Sequence, residues 1–224
     1  MDNSSKTLLV LLSGMVVVLA IVLLILGNIY PDGFGVLGIN PDSSYNYEVA
    51  LTSSGMLYNV TMFFPLPSYS GSSPAGFGII DGNGYGIPES MVTDIFGDGN
   101  SLFLKVVIPE TDGFDFGINV DATGVVDTQN PVVGSHVIYP VMDLEKGETI
   151  DLYDTYIYAS YDSSPGTVVT IDISETGRNT WKVFLEKTNY FEEHVSLSLT
   201  ESPDKWQTAE VSLNKMNGDY SILF

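Results

Sequence analysis

The 224-residue chain contains no cysteine. That excludes disulfides, cysteine-ligated zinc, iron–sulfur clusters, thiol catalysis and a cysteine-linked lipid anchor. Any folded part must therefore hold together by its own core, which is feasible at this size. Positive charge is also scarce. Eight Lys and Arg stand against 28 Asp and Glu, a formal net charge of −20, and Arg178 is the one arginine. Such a surface repels nucleic acid phosphates and anionic headgroups, so DNA, RNA and membrane-surface binding are set aside. The two histidines, His136 and His194, each stand alone in sequence. No Gly-x-Ser-x-Gly elbow is present, and GSSPAG (71–76) has the wrong spacing for one.

Charge is absent altogether from residues 8–27, LLVLLSGMVVVLAIVLLILG. A helix of this length spans ~30 Å, the thickness of a hydrocarbon core. A cleaved secretory signal would be shorter and would end in a small-x-small site, which Leu26-Gly27-Asn28 does not supply. The run therefore predicts a single membrane-spanning helix in contact with lipid. Lys6 precedes it and the next basic residue is Lys105. Positive-inside logic places residues 1–7 in the cytoplasm and the C-terminal part outside. Ser13, Ala20 and Gly27 lie seven apart and form a narrow seam of small residues. Such a seam suits self-association or docking to another membrane protein, although small residues are common in membrane helices anyway.

Residues 28–44 are rich in Gly, Pro, Asn and Asp and read as a linker. From residue 45 the text alternates. Val195, Leu197 and Leu199 share one face of HVSLSLTE (194–201), and Trp181, Val183 and Leu185 share one face of TWKVFLE (180–186). Similar runs are YNYEVALT (45–52), SLFLKVVI (101–108), GFDFGINV (113–120), SHVIYPVM (135–142), DTYIYASY (154–161), TVVTIDIS (167–174) and AEVSLNK (209–215), with FGIIDG (77–82) a weaker candidate. Turn signals such as Asp112-Gly113, Thr176-Gly177 and Asn217-Gly218 fall between them. Residues 88–96, PESMVTDIF, suit one short helix. The expectation is an all-β domain over 45–224, an antiparallel sandwich of about ten strands. Two small sandwiches split near DLEKGE (143–148) are the alternative.

Four groups of residues are candidates for chemistry. In DGNGYGIPE (81–89), Asp81 and Asn83 stand where a calcium loop places its first ligands, but its twelfth position is Val92. A looser calcium turn using Asp81, Asn83 and Glu89 competes with the plainer reading that Asp, Asn and Gly make turns. Glu110, Asp112 and Asp115 cluster, as do Asp143, Glu145 and Glu148. A hydrolase pairs two carboxylates, but chance supplies close pairs among so many acids. Tyr153, Tyr156, Tyr158 and Tyr161 lie close together, with Tyr156 and Tyr158 on one face. Aromatic platforms bind sugars and proteins, and tyrosine also packs well on half-buried strands. Last, LYNVTMFFPLP (57–67) carries the acceptor triplet Asn59-Val60-Thr61, which the predicted topology places outside the cell as a glycosylation site. Period-two geometry groups Asn59 with Thr61, and Tyr58 with Val60, Met62 and Phe64 toward the core.

Three segments, 45–67, 177–199 and 205–222, together resemble a group of uncharacterised archaeal membrane-anchored surface proteins. The matching residues are Asn59, Val60, Thr61, Pro65, Leu66 and Pro67, then Gly177, Asn179, Trp181, Asn189 and Tyr190. The resemblance implies an archaeal cell surface and one continuous exported domain; it implies no activity. Taken together, the residues lead to a structural, adhesive or accessory protein of the envelope. The alternatives are a surface hydrolase and a sugar- or calcium-binding module, and no cofactor is required by any motif.

Overall fold

A computed structural model of the protein describes residues 12–22, 41–182 and 186–218. Residues 12–22 form helix α1, inside the predicted span. Its apolar side chains, including Leu12, Met15, Val16, Leu19 and Ile21, are exposed. Among the described residues no helix is long and apolar enough to cross a membrane. Ser13 and Ala20 of the small-residue seam lie on α1, whereas Gly27, the tail 1–7 and residues 28–40 lie outside the described residues.

The rest is antiparallel β structure in ten strands: β1 (Asp42–Pro65), β2 (Pro67–Ser68), β3 (Val92–Asp98), β4 (Ser101–Asp121), β5 (Val137–Ile138), β6 (Met142–Glu145), β7 (Ile150–Ser163), β8 (Val169–Lys182), β9 (Glu186–Leu199) and β10 (Lys205–Gly218). Two short helices interrupt them, α2 (Pro74–Ile80) and α3 (Pro131–Gly134). Eight strands form one sheet in the order β3-β4-β1-β8-β9-β10-β7-β6. β2 and β5 make a separate two-stranded ladder.

β1 organises the large sheet. One edge of it pairs with β4 along nearly its whole length. Its other edge pairs with β8 from Asp42 to Ser53, and then with β7 from Leu57 to Phe63. The β1–β7 pairing closes a ring β1-β8-β9-β10-β7-β1. The pairing is thus one sheet closed on itself, where the sequence suggests two stacked sheets; closure gives each of the five strands a neighbour on both sides over part of its length. One contiguous core fills the interior, drawing Tyr47, Val49, Leu51, Met62 and Phe64 from β1, Ile171 and Ile173 from β8, and Phe191 and Val195 from β9. Full burial of each such side chain contributes roughly 1.5–3 kcal/mol. β1, before 143–148, bonds directly to β7 and β8, after it.

Several elements differ from the sequence reading, each for a local reason. Residues 77–80 are helix and 81–82 turn, not strand. Ser73 caps α2 by accepting from the Gly76 N–H, and Pro74 occupies its first turn, where no donor is needed. Residues 88–96 do not form a helix: Val92–Asp98 is β3, an edge strand whose every residue pairs with β4. The turn signals Asp112-Gly113 and Thr176-Gly177 lie inside β4 and β8; Thr176-Gly177 is paired without a break to β1, whereas Asp112-Gly113 marks the irregularity where the β1–β4 register shifts between Thr52 and Leu57. The parity of LYNVTMFF also breaks. Leu57 and Val60 are both inward, while Tyr58 and Asn59 are both exposed. A bulge between Tyr58 and Thr61 inserts one residue relative to β7. Asn59 takes φ of 52° there, a left-handed conformation that asparagine tolerates better than most residues.

Candidate functional site

Inward alternation along β8 and β9 does not stay apolar. Glu175 and Glu193 face each other directly across the ladder, and each is only 1% exposed. Tyr47 stands opposite Glu175 on β1. Glu193 is well satisfied: the Tyr153 hydroxyl donates to Oε1 (2.5 Å) and the Ile138 N–H donates to Oε2 (2.7 Å). Both Glu175 oxygens are buried without a hydrogen-bond partner. Burial pushes Glu193 up to about 7, against the pull of its two donors. Burial, reinforced by the Glu193 charge, raises Glu175 well above its usual range and favours its neutral form. Two facing carboxyls suggest acid–base chemistry, yet neither reaches solvent, and hydrolysis needs both substrate and water at the pair. This is a structural pair. The same alternation that places Val195, Leu197 and Leu199 inward, continued backwards, reaches Glu193, Phe191 and Asn189; that signal was available in the sequence.

The same inward face takes up Gly177, Asn179 and Trp181. A Cβ on Gly177 would lie 2.2 Å from Phe191 Cε1, so the ring packs where only glycine leaves space. Asn179 saturates its amide: it accepts from Ser43 Oγ (2.7 Å) and the Val126 N–H (2.8 Å), and donates to the Val126 carbonyl and Asn189 Oδ1 (2.8 Å each). Trp181 is buried. These are residues of the core.

The sequence-predicted acids are not brought together. Glu110, Asp112 and Asp115 are exposed along β4, and Asp143, Glu145 and Glu148 are exposed in and after β6. Asp81, Asn83 and Glu89 are exposed on the loop after α2. Among the described residues no group of three or more His, Asp or Glu side chains is placed to hold a metal ion. His136 lies between the rings of Tyr45 and Tyr69, with centroids at 5.0 and 5.9 Å, and burial lowers its pKa. His194 is exposed, 3.9 Å from Asp172. Ser174 and Ser212 flank it in register, but neither hydroxyl bonds to the imidazole, so no triad is formed.

Two outward surfaces remain, on the two halves of β1. On the C-terminal half, Lys105, Phe63, Tyr158 and Trp206 form one row across β4, β1, β7 and β10. Phe63 contacts Phe96, Tyr158 and Trp206 at 5.2–5.6 Å between ring centroids. Trp206 also meets Phe103 at 4.8 Å and Tyr156 at 6.5 Å. The patch is open: Phe96 is 53%, Trp206 40% and Tyr156 37% exposed. The sequence pairs Tyr156 with Tyr158; it misses the other four rings, which come from four other strands.

On the N-terminal half, the outward residues of β4, β1 and β8 form a polar grid. Asn119, Asn46 and Thr176 make one row; Ser44 and Arg178 are adjacent in the next. The loop after α2 walls this grid. Tyr85 exchanges backbone hydrogen bonds with Gly117 (2.8 and 3.0 Å), and its hydroxyl donates to Glu48 Oε1 (2.7 Å). Gly117 is required beneath it, since a Cβ there would lie 2.6 Å from the Tyr85 hydroxyl. Bonds from Asn46 and Tyr85 hold the Glu48 carboxyl below its usual range, and burial together with the Glu48 bond pushes Tyr85 up to about 12. The loop read as a possible calcium turn thus delivers a tyrosine. No protein-family model, curated protein or solved structure matches this chain.

Proposed function

We propose that this chain is a non-enzymatic, single-pass surface protein whose exported β domain holds a neighbouring protein of the envelope against its aromatic face. The observation that carries the reading is that face: six aromatic rings from β1, β3, β4, β7 and β10 meet around Trp206 on the outside of the sheet. Exposed apolar patches of this kind are unfavourable in water, and Trp and Tyr are the residues that dominate binding energy at interfaces. Asp204, bonded to the Tyr158 hydroxyl (2.8 Å), and Asp94, in register with Lys105, border it. The occupant that fits is a protein with an apolar centre and a basic rim.

The anchor belongs to the same reading. The eleven helical residues 12–22 expose apolar side chains all round, a distribution suited to lipid and not to a water-facing helix. With Lys6 inside, the domain and Asn59 face outward. Purification of the full chain from its native membrane in mild detergent, beside Trp206→Ala, tests the proposal. A fixed partner that co-purifies with the wild type and is lost from the variant is the expected result. A lone species at monomer mass in both, or a polysaccharide retained in place of a protein, overturns it.

A further inference from the structure

The cavity over the N-terminal half of β1 has a volume of about 240 Å³, the space of about eight water molecules. Every side chain lining it is polar: hydroxyls, amides, one carboxylate and one guanidinium. A ligand there gains little from apolar burial and must be held by hydrogen bonds and charge. The cation is the singular feature. Arg178 is the only arginine in a chain of net charge −20. Among the described residues it has no ion-pair partner; its guanidinium rests 5.9 Å from the Tyr190 ring centroid. Amid so many acids, an arginine braced on an aromatic ring, with its fork of donors open to a cavity, is available to a ligand carboxylate.

The remaining groups define the rest of the ligand. Asn46, Asn119 and Thr176 lie one row from Arg178, at two residues along β1, roughly 7 Å. They offer both donors and acceptors. Glu48 lies a further row along, with Oε1 occupied by Asn46 and Tyr85 and Oε2 open to a donor. Hydroxyl groups satisfy such a mixture; a phosphate, with fewer donors and more negative charge, would oppose Glu48. We propose that this cavity binds a carboxylated saccharide of the uronate type, with the carboxylate on Arg178 and ring hydroxyls shared among Asn46, Asn119 and Glu48, under the wall of Tyr85. This site is separate from the aromatic face and does not depend on it.

The test is titration of the full chain in detergent with sodium glucuronate, glucose and inorganic phosphate, followed by calorimetry or NMR. Glucuronate binding at least about tenfold more tightly than either of the others is expected. Arg178→Gln should abolish that preference. Tyr85→Ala, which removes the wall while leaving Arg178 intact, should weaken glucuronate by a comparable factor, with unfolding midpoints of both variants confirming that the fold survives. Equal binding of glucuronate and glucose, phosphate binding as tightly as glucuronate, no binding of any of the three, or a preference that persists in Arg178→Gln each overturns the assignment.

Discussion

Replacement of Glu193 by glutamine should invert its effect on stability across a few pH units. Glu193 is displaced from 4.5 in a free carboxyl to about 7 in the folded chain, because burial opposes its charge. A group whose folded pKa is raised binds more protons in the native state than in the unfolded one, so the native state loses stability as pH rises from 4.5 through 7. The loss amounts to about 3 kcal/mol, at about 1.4 kcal/mol for each tenfold change. In Glu193→Gln that loss disappears. The amide, however, can accept only through its one oxygen, whereas both oxygens of the protonated carboxyl can still accept from Tyr153 and Ile138; the difference costs about 1–2 kcal/mol below pH 7. The variant is therefore less stable than wild type near pH 5 and more stable near pH 8, and the two curves cross in between.

Urea unfolding of both proteins, read by tryptophan fluorescence from buried Trp181, measures this directly. Of two other titrating groups, His136 cancels in the difference, whereas Glu175 does not, because its rise depends in part on Glu193. His136 is lowered by burial, so it contributes in the opposite direction, adding stability as pH rises through its unfolded range. Glu175, raised by burial and further by Glu193, loses that second contribution in Glu193→Gln, which adds to the variant's advantage at high pH. Curves that run parallel from about pH 5 to pH 8 would refute the argument, since a solvated Glu193 would give that result.

Lys215→Met should destabilise the fold by about 3–5 kcal/mol, because Lys215 Nζ lies 2.7 Å from Asp151 Oδ1 and both side chains are buried; adding Asp151→Leu should recover most of the loss in the same urea assay. Asn59→Gly should be nearly neutral, whereas Asn59→Val should cost about 1–2 kcal/mol, since residue 59 sits at φ of 52°. Peptide mapping of the surface-expressed chain should find a glycan on Asn59 that is missing from Thr61→Val, a change that leaves the backbone at 59 untouched.

Strand alternation was legible because one face of nearly every strand meets the core, and burial enforces a period of two. Strand ends were not. Thr176-Gly177 carries a real turn preference, but β8 runs on because β1 offers it a continuous partner; Asp112-Gly113 expresses its preference only as a register shift within β4. Gly177 in particular is a packing glycine under Phe191, and nothing local distinguishes that from a turn glycine. The candidate sites divide in the same way. Tyr156 and Tyr158 could be paired from β7 alone, whereas Trp206, Phe63, Phe96 and Phe103 join them only through cross-strand register. Arg178 is visible as a singularity of composition; that Glu48 and Tyr85 stand near it depends on a loop that bonds to Gly117 across the fold.

The acceptor triplet at 59–61 shows how a surface signal and a fold requirement come to share one residue. Before Thr52 the inward residues of β1 are odd-numbered, Tyr45, Tyr47, Val49 and Leu51; after Asn59 they are even-numbered, Val60, Met62 and Phe64. A strand twenty-four residues long that changes neighbours from β8 to β7 must take up that change of parity somewhere. The bulge at Asn59 does so. Without the extra residue, either the polar grid of Asn46 and Glu48 or the aromatic face around Phe63 would turn inward, and Val60, Met62 and Phe64 would turn out. Asparagine is one of the few residues with both the left-handed conformation and a side chain that can bridge to β7, which it does through Asp162 Oδ2 at 2.7 Å. Selection for the bulge alone would therefore retain Asn59, and a glycan would have to displace the Asp162 bond. Of the three changes, Thr61→Val is the one that separates the two roles: loss of partner or saccharide binding in that variant would assign function to the sugar, and unchanged binding would leave Asn59 as the hinge of β1's two faces.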